Sequence, residues 1–446
     1  MAETTAVCSI EWVTVGALLA LVACSTLGTT AHAAPSSDAP PIGQADRDLP
    51  AGTTINAGNW RQFRQYMPDG MIRLFEGRDF WKMPPDATIQ VGPTLDYRLP
   101  QNYLAATEKY AGQVQIRPLP DGGLTLSNYH GGIPFPNPQE PYRGWKVLAN
   151  MWFRYYPRLV AQTYGYTCGM DATRSVNCLA LQYVTRQFAY NTDPGPPPQG
   201  AFQEIYFTNW FMVIEPEQEK YTTTLTIDYA DPARQEESYV FLPALRRYQR
   251  LSPSARCAAT AGTDATPDDF EFGFDSNITQ VKVDFVARRR ILSLLVSDLP
   301  RGAFPAGFEL PLGWPQPTLG QWQLRDVYQI AITKLPSSGG AGCYGKRVYY
   351  IDGQSYVPLW IEIYDPQMRP QRYHAIFPHV LDVPGVGSAM ASGADVEAFW
   401  NLANNHATFT VEPALDGKHF IDQQVPAEFD DVARYSTPSG LDLIMR

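Results

Sequence analysis

Beyond residue 23 the 446-residue sequence has no apolar run of the roughly 18 residues that a membrane-crossing helix needs. It has no excess of positive charge either. Its 35 Lys and Arg stand against 45 Asp and Glu, and a net charge of −10 argues against a nucleic acid as partner. Histidine is scarce, six in all, and these residues do not cluster beside the cysteines, so no metal site is expected. There is no Gly-x-Ser-x-Gly elbow, no His-Glu-x-x-His, no phosphate-cradling glycine loop and no dinucleotide fingerprint. No catalytic residue and no cofactor is therefore expected, and the chain does not read as an enzyme. A secreted hydrolase assembled from residues distant in sequence would leave no such motif and stays open as an alternative.

What is present begins with an export signature. Residues 12–23 form an almost unbroken apolar run, too short for a stable span and followed by small and polar residues, as in a secretory signal. Ala31-His32-Ala33 offers a small-x-small cleavage site, which makes residues 1–33 the expected signal peptide. Leu21-Val22-Ala23-Cys24 is a competing lipobox, in which Cys24 is acylated and begins the mature chain. The first reading sends the protein to the periplasm, the second to the outer membrane as a lipoprotein. Residues 34–52, rich in Pro, Ser and Asp, read as a flexible linker, and 53–446 as a single domain.

Four cysteines lie outside the leader: Cys168, Cys178, Cys257 and Cys343. An even set in an oxidising compartment points to disulfides, and the spacings are not those of zinc knuckles. Cys168 and Cys178 flank a turn-rich segment, so a hairpin staple is the simplest pairing, leaving Cys257 with Cys343.

Trp60, Phe63 and Met67 fall at helical spacing, Pro68-Asp69-Gly70 interrupts, and Met71, Leu74 and Phe75 resume an apolar face. Helices are expected over residues 101–110 and from Trp145 to a stop near Pro157, with a hairpin around Asp121-Gly122-Gly123. From Leu179 onward the pattern is mostly period two. Tyr221, Thr223, Leu225, Ile227 and Tyr229 share one face, and Val281, Val283, Phe285 and Ala287 another. Trp322, Leu324, Tyr328, Ile330 and Ile332 repeat the motif. Turns at Ala230-Asp231-Pro232, Asp352-Gly353-Gln354 and Tyr364-Asp365-Pro366 imply antiparallel meanders. Ser392 and Asp395 resemble a capping box, which predicts a late helix carrying Val396, Phe399, Trp400 and Ala403. The expected fold is mainly β (α+β): one large antiparallel sheet with an apolar concave side and a few amphipathic helices.

Asp264, Asp268, Asp269 and Asp275 cluster downstream of Arg246, Arg247, Arg250 and Arg256, and ion pairing between the two sets is preferred over calcium binding, because an EF-hand pattern is missing. Arg246-Arg247 and Arg288-Arg289-Arg290 read as solvated faces, with lipid headgroups or an acidic partner as the alternative. His374 and His379 are expected near a strand end.

Several segments carry a resemblance. Gly144-Trp145-Lys146-Val147-Leu148-Ala149-Asn150, then Tyr239-Val240-Phe241-Leu242-Pro243-Ala244-Leu245-Arg246-Arg247 with Leu251-Ser252-Pro253-Ser254, Gly262-Thr263-Asp264, Asp268-Asp269-Phe270 and Tyr349-Tyr350-Ile351-Asp352 resemble, in order, family thirteen-twenty-nine of the domains of unknown function. The resemblance implies a half-barrel similar to that of periplasmic lipoprotein carriers, which hold acyl chains in the hollow of a curved sheet. It also implies a membrane permease as partner and a hydrophobic, lipid-like molecule as ligand, and it brings no catalytic residues. Trp152, Phe153, Tyr206, Trp210, Phe211 and Trp400 are the expected lining of the hollow, with helices as plug or lid; each could instead be core. A monomeric carrier is the leading reading. A ligand-free accessory subunit of an envelope assembly is its alternative, and the volume of the hollow separates the two.

Overall fold

The computed structural model describes residues 49–445 except 98, 253–256, 260–261, 275–276, 337–343 and 414–416, and the side chains of 271–272 and 391–395 are also left undescribed. The signal peptide, Cys24, most of the linker, Arg256, Asp275 and Cys343 therefore lie outside the described residues. No helix among the described residues is long and apolar enough to cross a membrane.

Fourteen strands make one sheet from two meanders. The first meander comprises β1 (Leu159–Met170), β2 (Val176–Gln187), β3 (Ile205–Glu215), β4 (Thr223–Tyr229), β5 (Glu237–Leu242) and β6 (Arg247–Arg250). The second comprises β7 (Val281–Val296), β8 (Gly320–Lys334), β9 (Lys346–Asp352), β10 (Pro358–Tyr364), β11 (Pro370–Val383), β12 (Gly387–Asn401) and β13 (Ala407–Glu412). Successive strands pair antiparallel, through the turns that the sequence marks. β13 lies antiparallel beside β1 and joins the meanders, and β14 (His419–Ile421) extends the pairing of β1.

The sheet curls strongly. Val296, at the end of β7, bridges in parallel to His379 of β11, which is four strands away along the antiparallel path. In a flat sheet four spacings would separate those strands by roughly 19 Å. The half-barrel is thus closed at one end by a single backbone bridge.

Over most of the second meander both faces of the sheet are buried, and this decides which side chains the strands use. In the second meander Val348, Tyr350, Tyr373, Ala375, Val396 and Trp400 join one core with Trp60, Met71, Trp81 and Trp314, while Tyr349, Ile351, Ile361, Ile363 and Ile376 join another with Trp145, Leu148 and Trp152. In the first meander Val184, Trp210, Leu225 and Phe241 pack on the C-terminal Phe429, Tyr435 and Leu441. β-Branched and aromatic residues suit such pleated, enclosed surfaces.

Three helices of eight residues or more lie among the described residues: α1 (Asp69–Glu76), α2 (Gln101–Tyr110) and α3 (Arg143–Trp152). The break before α1 falls between Met67 and Pro68, and Asp69 and Gly70 already belong to the helix; Pro68 caps it, because a proline costs no hydrogen bond at a helix start. Trp60–Tyr66 is a 3-10 helix. α3 stops at Trp152, earlier than expected from the apolar Tyr156.

Three expectations are corrected. The late helix is strand β12. Val396, Phe399, Trp400 and Ala403 are helically spaced, but Val396, Ala398 and Trp400 share one core at period two, and burial of both faces hides that period in the sequence. The Arg288-Arg289-Arg290 run is half-buried rather than solvated: the Arg289 guanidinium donates to the Met67 carbonyl at 3.1 Å, and Arg288 lies over Tyr328 and Arg290 over Tyr66. His374 is fully buried within β11, not at its end.

Candidate functional site

One face of the sheet is filled by α3 and its neighbours under β8 to β11, and the same face stays hollow beside them. Alternation produces the hollow. Leu179, Leu181, Tyr183 and Thr185 of β2 point into it while Val184 points to the opposite core, and Phe211 and Val213 of β3 do so while Trp210 points away. Thr224, Val240, Phe399, Thr408 and Thr410 continue the lining. The space is about 460 Å³, partly open to solvent and mostly apolar.

Its cover comes from described residues of the link that joins β6 to β7. Leu251, Ala258, Ala259, Thr263, Ala265, Pro267 and Phe270 from this link face the space. The Phe270 ring stacks on Phe211, 6.3 Å between centroids and inclined by 29°, and Phe211 stacks on Tyr183 at 5.4 Å. Of the helices expected as plug or lid, α3 fills the neighbouring core, and the roof of the hollow itself is an aspartate-bearing segment with two short helical turns, Pro267–Asp269 and Phe270–Gly273.

Buried charge fixes that roof. The Asp269 carboxylate lies between Arg347, at 2.9 Å, and Arg372, at 2.8 Å, all three nearly inaccessible to solvent. Asp268 pairs with Lys334 at 2.9 Å. The Arg347 guanidinium also donates to the carbonyls of Asp268 and Gly273, and the Tyr349 hydroxyl donates to the Gly273 carbonyl at 2.7 Å. Asp264 accepts from the Thr408 hydroxyl at 2.9 Å and meets His406 Nδ1 at 2.6 Å. Burial alone would raise the Asp269 pKa, but Arg347 and Arg372 outweigh it and hold the carboxyl well below the usual carboxylate range. The acidic cluster is thus ion-paired as expected, but with different partners. Arg250 pairs with Glu237, and Arg246 and Arg247 are exposed. Local sequence order suggested the neighbouring arginines; the sheet brings Arg347 and Arg372 in from strands about eighty to one hundred positions away.

Two further carboxylates face the hollow: Glu397 of β12 and Glu412 of β13. His374 Nε2 lies 3.3 Å from Glu397. Burial, reinforced by the Glu397 charge, pushes the Glu412 carboxyl up to about 8. Sequence reasoning missed both, because single glutamates on alternating strands carry no spacing signal.

Of the six aromatics expected to line a hollow, Phe211 lines this one. Trp152 and Tyr206 border a separate recess of about 20 Å³, the scale of one water. Phe153 packs with Tyr129 and Tyr206, Trp210 with Tyr435, and Trp400 with Trp314 and Trp360. Cys168 and Cys178 sit opposite one another in the β1–β2 hairpin and form a disulfide. Cys257, in the roof, is also disulfide-bonded.

A family model described as "Protein of unknown function (DUF1329)" matches residues 54–439. The chain is similar to a putative outer membrane lipoprotein-sorting protein domain from Vibrio parahaemolyticus (12% identity, TM-score 0.44, covering 65% of this chain and 97% of that one). It is similar to a DUF1329 family protein from Desulfovibrio piger (12%, TM-score 0.45, 66% and 98%) and to a LolA superfamily protein from Nitrosomonas europaea (11%, TM-score 0.38, 66% and 98%). No curated protein matches.

The two perturbed carboxyls predict opposite pH effects. Asp269, with its pKa lowered on folding, stabilises the fold above the unfolded value near 3.8 and loses that contribution as pH falls through the folded value. Asp269→Ala strands two buried guanidinium groups and should cost about 3–5 kcal/mol at neutral pH in urea denaturation, with the loss shrinking in acid. Glu412, with its pKa raised, contributes stability that is full below 4.5 and lost as pH rises through about 8. Glu412→Gln should therefore raise Tm at pH 9 and leave it nearly unchanged at pH 5, measured by calorimetry.

Proposed function

The chain belongs to the DUF1329 family, whose description names no activity, and from its own hollow we propose that it is an extracytoplasmic carrier that binds a hydrophobic, lipid-like molecule and passes it on without covalent chemistry. The observation that carries this reading is the roofed cavity of about 460 Å³, within the roughly 300–1,000 Å³ of ligand sites. Leu179, Leu181, Phe211, Val213, Val240 and Phe399 give it walls suited to an alkyl chain, each buried methylene contributing about 0.8 kcal/mol before the cost of immobilisation. A ligand-free accessory subunit calls for a filled interior, which a space of this size does not favour. The Cys168–Cys178 disulfide and the disulfide at Cys257 support an oxidising compartment such as the periplasm. Delivery to a membrane permease fits a carrier of this kind.

The uncharged dye Nile red tests the cavity directly. Its fluorescence should rise and shift to the blue on binding the wild-type protein, and Leu181→Trp, which fills the hollow from β2, should weaken binding at least tenfold at unchanged Tm. Equal binding by both proteins would overturn the reading.

A further inference from the structure

The charged side chains that line the hollow are all acidic among the described residues: Glu219, Asp269, Glu397 and Glu412, with no lysine or arginine. They are not equivalent. Glu219 sits in the exposed turn between β3 and β4, and Asp269 is engaged by Arg347 and Arg372. Glu397 and Glu412 remain. In the β12–β13 register Glu397 faces Thr410, so Glu412 is its diagonal neighbour on the same face, at roughly 7–8 Å between backbones and within reach of long side chains. The Thr410 hydroxyl between them meets that of Thr167 at 3.2 Å. Glu397 has His374 beside it, whereas no hydrogen bond or ion pair engages the Glu412 carboxyl among the described residues. A carboxyl that faces an apolar hollow without a partner is costly unless something supplies one.

Resting on the carrier reading, we propose that Glu397 and Glu412 form a polar pole of the cavity that selects an amphiphile whose polar group donates hydrogen bonds, an amine or hydroxyl, and rejects an anionic head such as a carboxylate or phosphate. The apolar walls take the alkyl part. An ammonium placed between the two carboxyls donates to both and offsets their charge, and a hydroxyl donates to either. A carboxylate or phosphate there would meet carboxyls of its own sign, with no lysine or arginine in the lining to offset them, since Arg347 and Arg372 already hold Asp269 and His374 already lies beside Glu397.

Displacement of Nile red by dodecylamine, dodecanol and dodecanoate, each below its micelle concentration, tests the pole with one alkyl chain and three heads. The amine and the alcohol should compete at least tenfold better than the acid at neutral pH. Glu412→Gln and Glu397→Gln should each weaken the amine about tenfold or more and leave or improve the acid. Equal competition by all three heads, or selectivity untouched in both variants, would overturn the polar pole while the carrier stands. Failure of Nile red and of every alkyl probe to bind would overturn the carrier reading and this inference with it.

Discussion

The carboxylate of Asp269 between the guanidinium groups of Arg347 and Arg372 is the contact on which the architecture turns. The first meander ends at β6, on one margin of the sheet, and the second begins at β7, which pairs with β8 and bridges to β11, so the described residues of the link between them lie over a face of the sheet. An irregular segment crossing a buried surface brings polar groups with it, and these must be satisfied there. Asp264, Asp268, Asp269 and Gly273 meet their partners on β8, β9, β11 and β13, and the crossing thereby becomes a roof. Such a pair adds little net stability over a hydrophobic packing, but breaking one member leaves bare charge. It specifies where the roof lies.

Curvature and unequal filling do the rest. The face under β8 to β11 is packed by α3 and its aromatic neighbours, while under β12, β13 and β1 to β5 the same face carries threonines, leucines and valines too short to meet the roof. The hollow is a consequence of side-chain length on alternating positions, with Phe211 and Phe270 spanning part of it. The lone carboxyl of Glu412 and the Glu397 beside it then stand out as groups that a mere packing defect would not retain.

The meanders were legible because their turns carry Asp, Gly and Pro and their strands alternate. β4, with Leu225 and Ile227 against Thr224 and Thr226, is the plainest case. β12 was not, because Val396 to Trp400 are nearly all apolar where both faces are buried, and a run without alternation fits a helix as well. β1 shows no clear period for a related reason: its two glycines and its mix of small and large residues blur any alternation. The hairpin disulfide followed from spacing alone. The site followed only in outline. A hollow sheet is legible, but the bulky aromatics that look like its walls in sequence mostly fill cores, since large side chains close space and smaller ones leave it. The partners of the aspartate cluster were invisible in sequence because Arg347 and Arg372 are brought in by strand order rather than by chain proximity.

The most direct measurement of the central claim is photolysis of an alkyl diazirine probe bound to the intact protein, with the labelled residues mapped by peptide mass spectrometry. The account predicts label on Leu179, Leu181, Phe211 and Val240 of the floor and on Pro267 and Phe270 of the roof. Label confined to the outer surface, or to the aromatic core around Trp152 and Phe153, would contradict it.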